Sequence, residues 1–357
     1  MNIAIIGFAK IKYMPYLNFY LENIDIKKHN VSVFYWTRDS KEDSSLPKEI
    51  SVFAFKYQQE DHVSKYKKIY GFLSFRKAAK KFLINGKFDK VIVLTTYPAL
   101  LLSNFLLKYY KRQYIFDYRD LTLENIALFK SQIGKIVNEA EATFVSSRGF
   151  LKYLPDTRIY ITHNLSSEFL SSSLNKSIRI EQPLRIRYWG LFRDLAFNMK
   201  FIEHICNDTR FELHYHGREQ NLTIELRNYC NQIGAKNIFF HGEYVPAEKK
   251  VFSNETDIIH NAYDSKDIGA AYAISNKYYD GLVFKLPQLC GSNTFMGKCA
   301  VNNGIGIMVD PENSSFADNI YNYYCNINWE KFYNDCESTL TYIEKEYESA
   351  KNYLRCL

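Results

Sequence analysis

Short apolar runs alternate with stretches of helical period along this chain, and the whole alternation happens twice. Few folds accommodate that. A run apolar on both faces must be covered on both sides, and strands separated by helices pair in parallel. In the first series Asn2–Ile6 closes at Gly7, and a helical pattern follows to about Ile24. Val31–Trp36, Val91–Leu94, Tyr114–Asp117, Thr143–Ser146 and Arg158–Thr162 read as further strands, with helices over Ala99–Tyr110 and around Ile126–Glu139. The second series reads as strands at Arg185–Trp189, Phe211–Tyr215, Asn237–Phe240, Asp257–His260, Gln288–Cys290 and Lys298–Asn302. Between Leu165 and Pro183 the chain is polar and Ser-rich, as linkers are. The expected architecture is α/β, with Rossmann-like domains over 1–165 and 184–333 and a linker over 166–183. A long charged helix, Asn334–Leu354 within the segment 334–357, should pack back toward the first domain. Ligands of such sheets bind at the carboxyl ends of the strands.

The segment richest in candidate ligand contacts is Ala273–Leu289, AISNKYYDGLVFKLPQL. Ser275, Asn276 and Lys277 open a helical run, Asp280 follows one turn later, and Pro287 stops the run because it has no N–H. Helix-start amides and a Lys attract phosphate, and a nearby carboxylate accepts from sugar hydroxyls. Such a site suits a nucleotide-sugar. Glycines also leave three successive strands, in Trp189-Gly190-Leu191-Phe192-Arg193, His216-Gly217-Arg218 and His241-Gly242-Glu243-Tyr244. A Gly there lets backbone approach a ligand closely, and Arg193, just past a strand end, can clamp phosphates. The first loop, Gly7-Phe8-Ala9-Lys10, lacks the GxGxxG fingerprint, which weakens a dinucleotide-dehydrogenase reading.

In order and spacing these segments resemble the retaining glycosyltransferases of GT-B architecture, close to glycosyltransferase family 4 and the enzymes of bacterial capsule and surface polysaccharide. YWGLFRD resembles that family's first C-terminal strand and phosphate loop. LHYHGRE and FFHGEYV resemble the next two strand ends, and SNKYYDGLVFKLPQL its N-K-x-x-E helix. NNGIGIMVDPENSSFADNI is similar to the closing Gly-rich turn and helix. In the first half, FDYRDLT and YITHNLSSEF resemble an acceptor-side D-x-R-D segment and an Asn-bearing hinge. The resemblance implies two domains facing across a cleft, the first binding acceptor and the second the nucleotide-sugar, with UDP favoured. It implies transfer with retention, no required metal, and a lipid-linked or growing surface-glycan acceptor. Arg193, Lys277, Arg119 and Asp120 become the catalytic candidates. Gly190, Gly217, Tyr244, Ser275, Asn276 and Asp280 fall on the donor side, and Gly7 and Asp117 on the acceptor side. Two positions depart from the pattern. Tyr272 stands eight residues before Asp280 where the family often has Glu, and Arg119 stands where it often has His. Tyr272 keeps a catalytically silent partner or sugar-sensing protein in view, beside a GT-B nucleotide-sugar epimerase.

Composition excludes more than it selects. No apolar run reaches the roughly 20 residues of a membrane helix, and MNIAIIGFAK enters a strand pattern with no signal-peptide cleavage site. Seven Cys without a C-x-x-C pair argue for reduced thiols and against zinc. His216 and His241 have no third ligand at metal spacing, so no metal site is expected there, and no cofactor is expected, the nucleotide-sugar being a substrate. A cytoplasmic protein is the reading. A net charge of +7 with no recognisable module argues against nucleic acid. The charge concentrates in Lys56–Lys90, with ten Lys or Arg against Glu60, Asp61 and Asp89. Tyr66, Ile69, Tyr70 and Leu73 fall at helical spacing there, as do Phe75, Ala78, Ala79 and Phe82. A helix around Lys65–Leu83 would suit the inner face of an anionic membrane, with Lys108, Lys111 and Arg112 extending its charge.

Overall fold

Every strand pairing among the described residues is parallel, as burial on both faces requires. The structure, a computed structural model, describes residues 1–39, 43–59, 64–122, 124–165 and 183–357. The expected linker over 166–183 falls outside these residues except for Pro183. The chain divides into two compact units, Met1–His163 with Glu344–Leu357, and Asn164–Ile343.

The first unit holds strands β1 (Asn2–Ile6), β2 (Asn30–Trp36), β3 (Ser51–Phe55), β4 (Lys90–Leu94), β5 (Tyr114–Tyr118), β6 (Ala142–Val145) and β7 (Ile159–Ile161). They lie in the order β3-β2-β1-β4-β5-β6-β7. Helices α1 (Leu17–Asn23), α2 (Lys65–Gly86), α3 (Thr96–Tyr109) and α4 (Ala127–Glu139) connect them. Ile3, Ile5, Val33, Ile92 and Ile115 form the centre of the core, which Ala350, Tyr353 and Leu354 complete from far along the chain.

The second sheet has the order β10-β9-β8-β11-β12-β13. Its strands are β8 (Leu184–Trp189), β9 (Phe211–His216), β10 (Ile238–Gly242), β11 (Ile258–Asn261), β12 (Gln288–Gly291) and β13 (Gly306–Val309). Its helices are α5 (Leu195–Ile205), α6 (Asn221–Gln232), α7 (Lys249–Asn254), α8 (Ile268–Tyr272), α9 (Asn276–Val283), α10 (Phe295–Asn302) and α11 (Phe316–Cys325). Helix α12 (Trp329–Arg355) starts in this unit and ends in the other.

Two assignments from sequence change. Lys298–Asn302 is the end of α10, not a strand, and the last strand is β13 instead. The Thr294 hydroxyl accepts from the Gly297 N–H (3.0 Å) and starts the helix. Met296 and Ala300 then bury at a spacing of one turn, and Gly304 at φ +68° ends it. β3 has no counterpart in the sequence reading. It is an edge strand exposed on both faces, so nothing in its pattern marks it as half-buried.

Candidate functional site

Strand order reverses between β8 and β11, which opens a crevice at the carboxyl ends of those two strands. Lys277 lies over it. Its Nζ donates to the Trp189 carbonyl at the end of β8 (3.3 Å) and to the Tyr263 hydroxyl just past β11 (2.6 Å). One ammonium thus bridges the two strands where the order reverses. It is 4% exposed and sits 3.7 Å over the Tyr188 ring. Burial holds Lys277 below the usual lysine range, and the positive charge of Arg193 adds to that. A buried cation held by neutral partners gains most from an arriving anion.

The first turn of α9 supplies more donors. Ser275 is its N-cap, yet its hydroxyl donates to Asn261 Oδ1 (2.6 Å) rather than accepting from the helix. Among the described residues no side chain caps the first amides, and Asn276 is exposed. Such a helix start is receptive to phosphate.

Arg193 comes from the loop after β8, and that loop is firmly shaped. Gly190 has φ +118°, which only Gly adopts without strain, and its N–H donates to the His216 carbonyl (2.9 Å). A Cβ on Gly217 would lie 2.3 Å from the Gly190 oxygen, so two glycines bring these backbones together. Asn198 donates to the carbonyls of Arg193 (2.8 Å) and Asp194 (3.1 Å), and the Tyr188 hydroxyl donates to that of Leu191. The Arg193 side chain itself is exposed.

Asp280 is not an open carboxylate. Its Oδ2 accepts from the Trp189 indole N–H (2.7 Å) and from Lys249 (2.9 Å) at the start of α7, and the residue is buried. A sugar hydroxyl could be received only at Oδ1 or after Lys249 moves. Tyr244 is half-buried against Phe252, and burial pushes its hydroxyl up to about 12, aided by the charge of Asp280.

The first unit has its own reversal, between β1 and β4. Gly7 is buried just past β1 and donates to the Phe34 carbonyl (2.8 Å). Asp117, at the end of β5, is fully buried and bound by Arg119, whose Nε donates to both carboxylate oxygens at 3.0 Å. The guanidinium stacks 4.8 Å from the Tyr16 ring. Burial pushes Asp117 above the usual carboxylate range in spite of that cation. Asp120 is exposed, and its carbonyl accepts from Thr96 (3.2 Å). Asp117 and Arg119 therefore form a closed ion pair, and Asp120 is the member of this group that faces solvent.

His216 and His241 belong to a ring stack. His241 lies 4.4 Å and Phe252 4.5 Å from His216, while His214 Nδ1 and His241 Nε2 are 3.0 Å apart. Arg187 donates to His216 Nε2 (2.6 Å), which requires that nitrogen to be unprotonated. Burial pushes His214 and His216 down to about 3, and Arg187 adds to it. The groups facing this stack are Arg185, Arg187, Glu212 and Glu255. Between about pH 3 and 6.5 the unfolded chain binds protons that the native histidines refuse. Stability is therefore complete above about pH 6.5 and falls as pH drops, by up to about 1 kcal/mol per pH unit from each after solvent screening. Denaturant titrations at about pH 5 and pH 7 should show this loss. A His214→Gln, His216→Gln variant should show a flatter profile.

Lys249, Tyr263 and Asn198 hold the candidate residues Asp280, Lys277 and Arg193 in place, and the sequence reading did not name them. Tyr263 follows a strand end and could have been found by that position. Lys249 carries no such signal.

A sucrose-phosphate synthase from Thermosynechococcus elongatus superposes with a TM-score of 0.72 at 10% identity, over 99% of this chain and 98% of that one. WaaB, a lipopolysaccharide outer core galactosyltransferase in its apo form, gives 0.67 at 13% identity over 94% and 95%. The fold is GT-B. Anabaena HepE in complex with UDP-glucose gives 0.64 at 11% identity over 99% and 100%. No family profile matches the chain, and no curated protein matches it. Among the described residues of this GT-B chain no helix is long and apolar enough to cross a membrane.

Proposed function

We propose that the protein is a glycosyltransferase that moves a sugar from a nucleotide-diphosphate sugar, with UDP favoured, to a lipid-linked or growing surface-glycan acceptor. The observation that carries this reading is Lys277, a buried ammonium held by a carbonyl and a phenol at the strand reversal, beside Arg193 and an uncapped helix start. A departing diphosphate needs charge stabilisation of that kind. Lys277, Arg193 and the amides of Asn276 and Lys277 supply it without a divalent ion, and Gly190 and Gly217 let the diphosphate approach the backbone. Tyr244, Ser275 and Asp280 Oδ1 serve the nucleoside or sugar. The neighbour solved with UDP-glucose supports the choice of donor. The unit carrying Asp117, Arg119 and Asp120 receives the acceptor, with Asp120 as the contact and the Asp117–Arg119 pair behind it. Retention of anomeric configuration, a cytoplasmic site of action and a place at the inner membrane face complete the reading, which fits capsule or other surface polysaccharide synthesis.

Purified protein supplied with UDP-sugars and a lipid-diphosphate-sugar acceptor should turn over in excess chelator. Strict dependence on magnesium or manganese would contradict this mechanism. Donor binding without transfer would favour the silent alternative, which Tyr272 and the engagement of Asp280 by Lys249 both support.

A further inference from the structure

We propose that two copies of this chain join through the outer edge of β3, antiparallel, as a two-fold dimer whose first sheets run on into each other. The proposal is independent of the transferase reading. β3 ends its sheet with its far side open. Its pairing with β2 runs without a bulge from Ser51 to Phe55, and SVFAF carries no charge and no proline. Bulges, charges, prolines and short length are the devices that guard an edge strand. The other three edges among the described residues have such guards. β7 is three residues long with Arg158 laid against Tyr160, β10 shifts register between Phe240 and Gly242, and β13 is four residues long and opens on a glycine. β3 alone is regular and bare, with Val52 44% and Phe53 46% exposed.

An open edge is a row of backbone donors and acceptors, and what satisfies such a row is another strand. In a parallel ladder, alternate residues turn both N–H and C=O toward the same neighbour. The Phe55 carbonyl accepts from the Thr37 N–H (3.2 Å). Ser51, Phe53 and Phe55 therefore bond to β2, and Val52 and Ala54 point their backbone groups outward. A two-fold axis through Phe53 pairs Val52 of each copy with Ala54 of the other, which uses all of these groups. It also sets Phe53 on Phe53, an aromatic pair at the closer, non-hydrogen-bonded position. Charge agrees with this register. Lys56, the first charge beyond the strand, falls opposite Ile50, whereas an axis through Val52 would bring it to Lys48 of the other copy. The Phe53 ring lies 4.9 Å from Phe82, so the second copy's ring extends the wall of a groove of about 780 Å³ lined by Phe53, Phe82 and Phe88. Closure names the occupant. β3 paired with itself stops at two chains, whereas β3 paired with a different edge leaves one edge free at every step and grows into a filament.

The test is the association state of the full chain, by sedimentation equilibrium over a concentration series with no nucleotide present. The wild type should approach twice the mass of one chain and go no higher. Ala54→Pro removes an outward N–H that β2 does not use. By symmetry each dimer loses two bonds, and association should weaken by at least about tenfold. A cysteine pair tests the register. Non-hydrogen-bonded partners have Cα atoms about 4.5 Å apart, within reach of a disulfide. In a Cys325→Ser, Cys356→Ser background, which removes the exposed thiols, Phe53→Cys should give a covalent dimer on mild oxidation. Ser51→Cys should not, because its symmetry mate lies four residues along the strand, roughly 13 Å away. This comparison decides alone if Ala54→Pro melts early. A chain that stays monomeric and does not cross-link would overturn the proposal. So would a dimer that Ala54→Pro leaves intact and that cross-links equally at both positions, since its contact lies on another face. Open-ended oligomers would overturn it too.

Discussion

Lys277→Met should lower turnover of the nucleotide-sugar by about a hundred- to a thousandfold while leaving the melting temperature unchanged or raised. The two halves of that expectation have one cause. The ammonium is buried, its partners are a carbonyl and a phenol, and its proton is held below the usual lysine affinity. A methionine of similar length removes the cost of burying the charge and still covers the Tyr188 ring. What it cannot do is meet a diphosphate. Calorimetry with UDP should show affinity down by about tenfold or more, the worth of a charge-assisted bond. A variant that melts much earlier and binds UDP normally would make Lys277 a strut for β8 and β11 and move the donor site elsewhere.

Asp280→Ala should behave in the opposite way and destabilise the fold first. Its loss leaves the Trp189 indole N–H and the Lys249 ammonium without an acceptor in a largely buried place. Breaking such a pair costs about 3–5 kcal/mol. In a unit of this size that lowers the melting temperature by roughly 6–20 °C. The second change Lys249→Met should restore much of the loss, because the uncompensated cation goes too. If Asp280 also receives the ribose, Lys249→Met alone should bind UDP at least as well as wild type, and the double variant should bind poorly despite its recovered stability. Full stability in Asp280→Ala would mean that the carboxylate contributes nothing to the packing of α9.

These two residues show how far the sequence could be read. That Lys277 and Asp280 share a helix start was legible from Asn276 to Pro287, because a period of one turn and a proline stop are local signals. That they have unlike surroundings was not legible. Asp280 is held by Lys249, 31 positions away, and Lys277 by Tyr263 across a strand reversal. Nothing local encodes such meetings. The parallel sheets were legible for the same local reason, as continuous apolar runs. Where a strand lies at an edge and buries neither face, as β3 does, the run loses its signal. Lys298–Asn302 misled in the reverse direction. Val301 and Ala300 suit a strand, and only the Thr294 cap and the Gly304 turn reveal the helix. Asp117 and Arg119 stood out as chemistry but close on each other, and that closure depends on the depth of β5.

Helix α12 has a consequence for the order in which the molecule is made. Its far end stacks Tyr347 on Phe19 and packs Tyr353 at a tilt against Phe144 and Tyr160, and the Tyr353 hydroxyl reaches Glu141 (2.7 Å). Those partners leave the ribosome long before residue 347 does. At roughly 5–20 residues per second the interval is about ten to forty seconds. Through that interval Phe19, Phe144 and Tyr160 lack these aromatic partners, while the whole second unit is being translated. The first unit therefore cannot complete its core until the whole second unit has been translated.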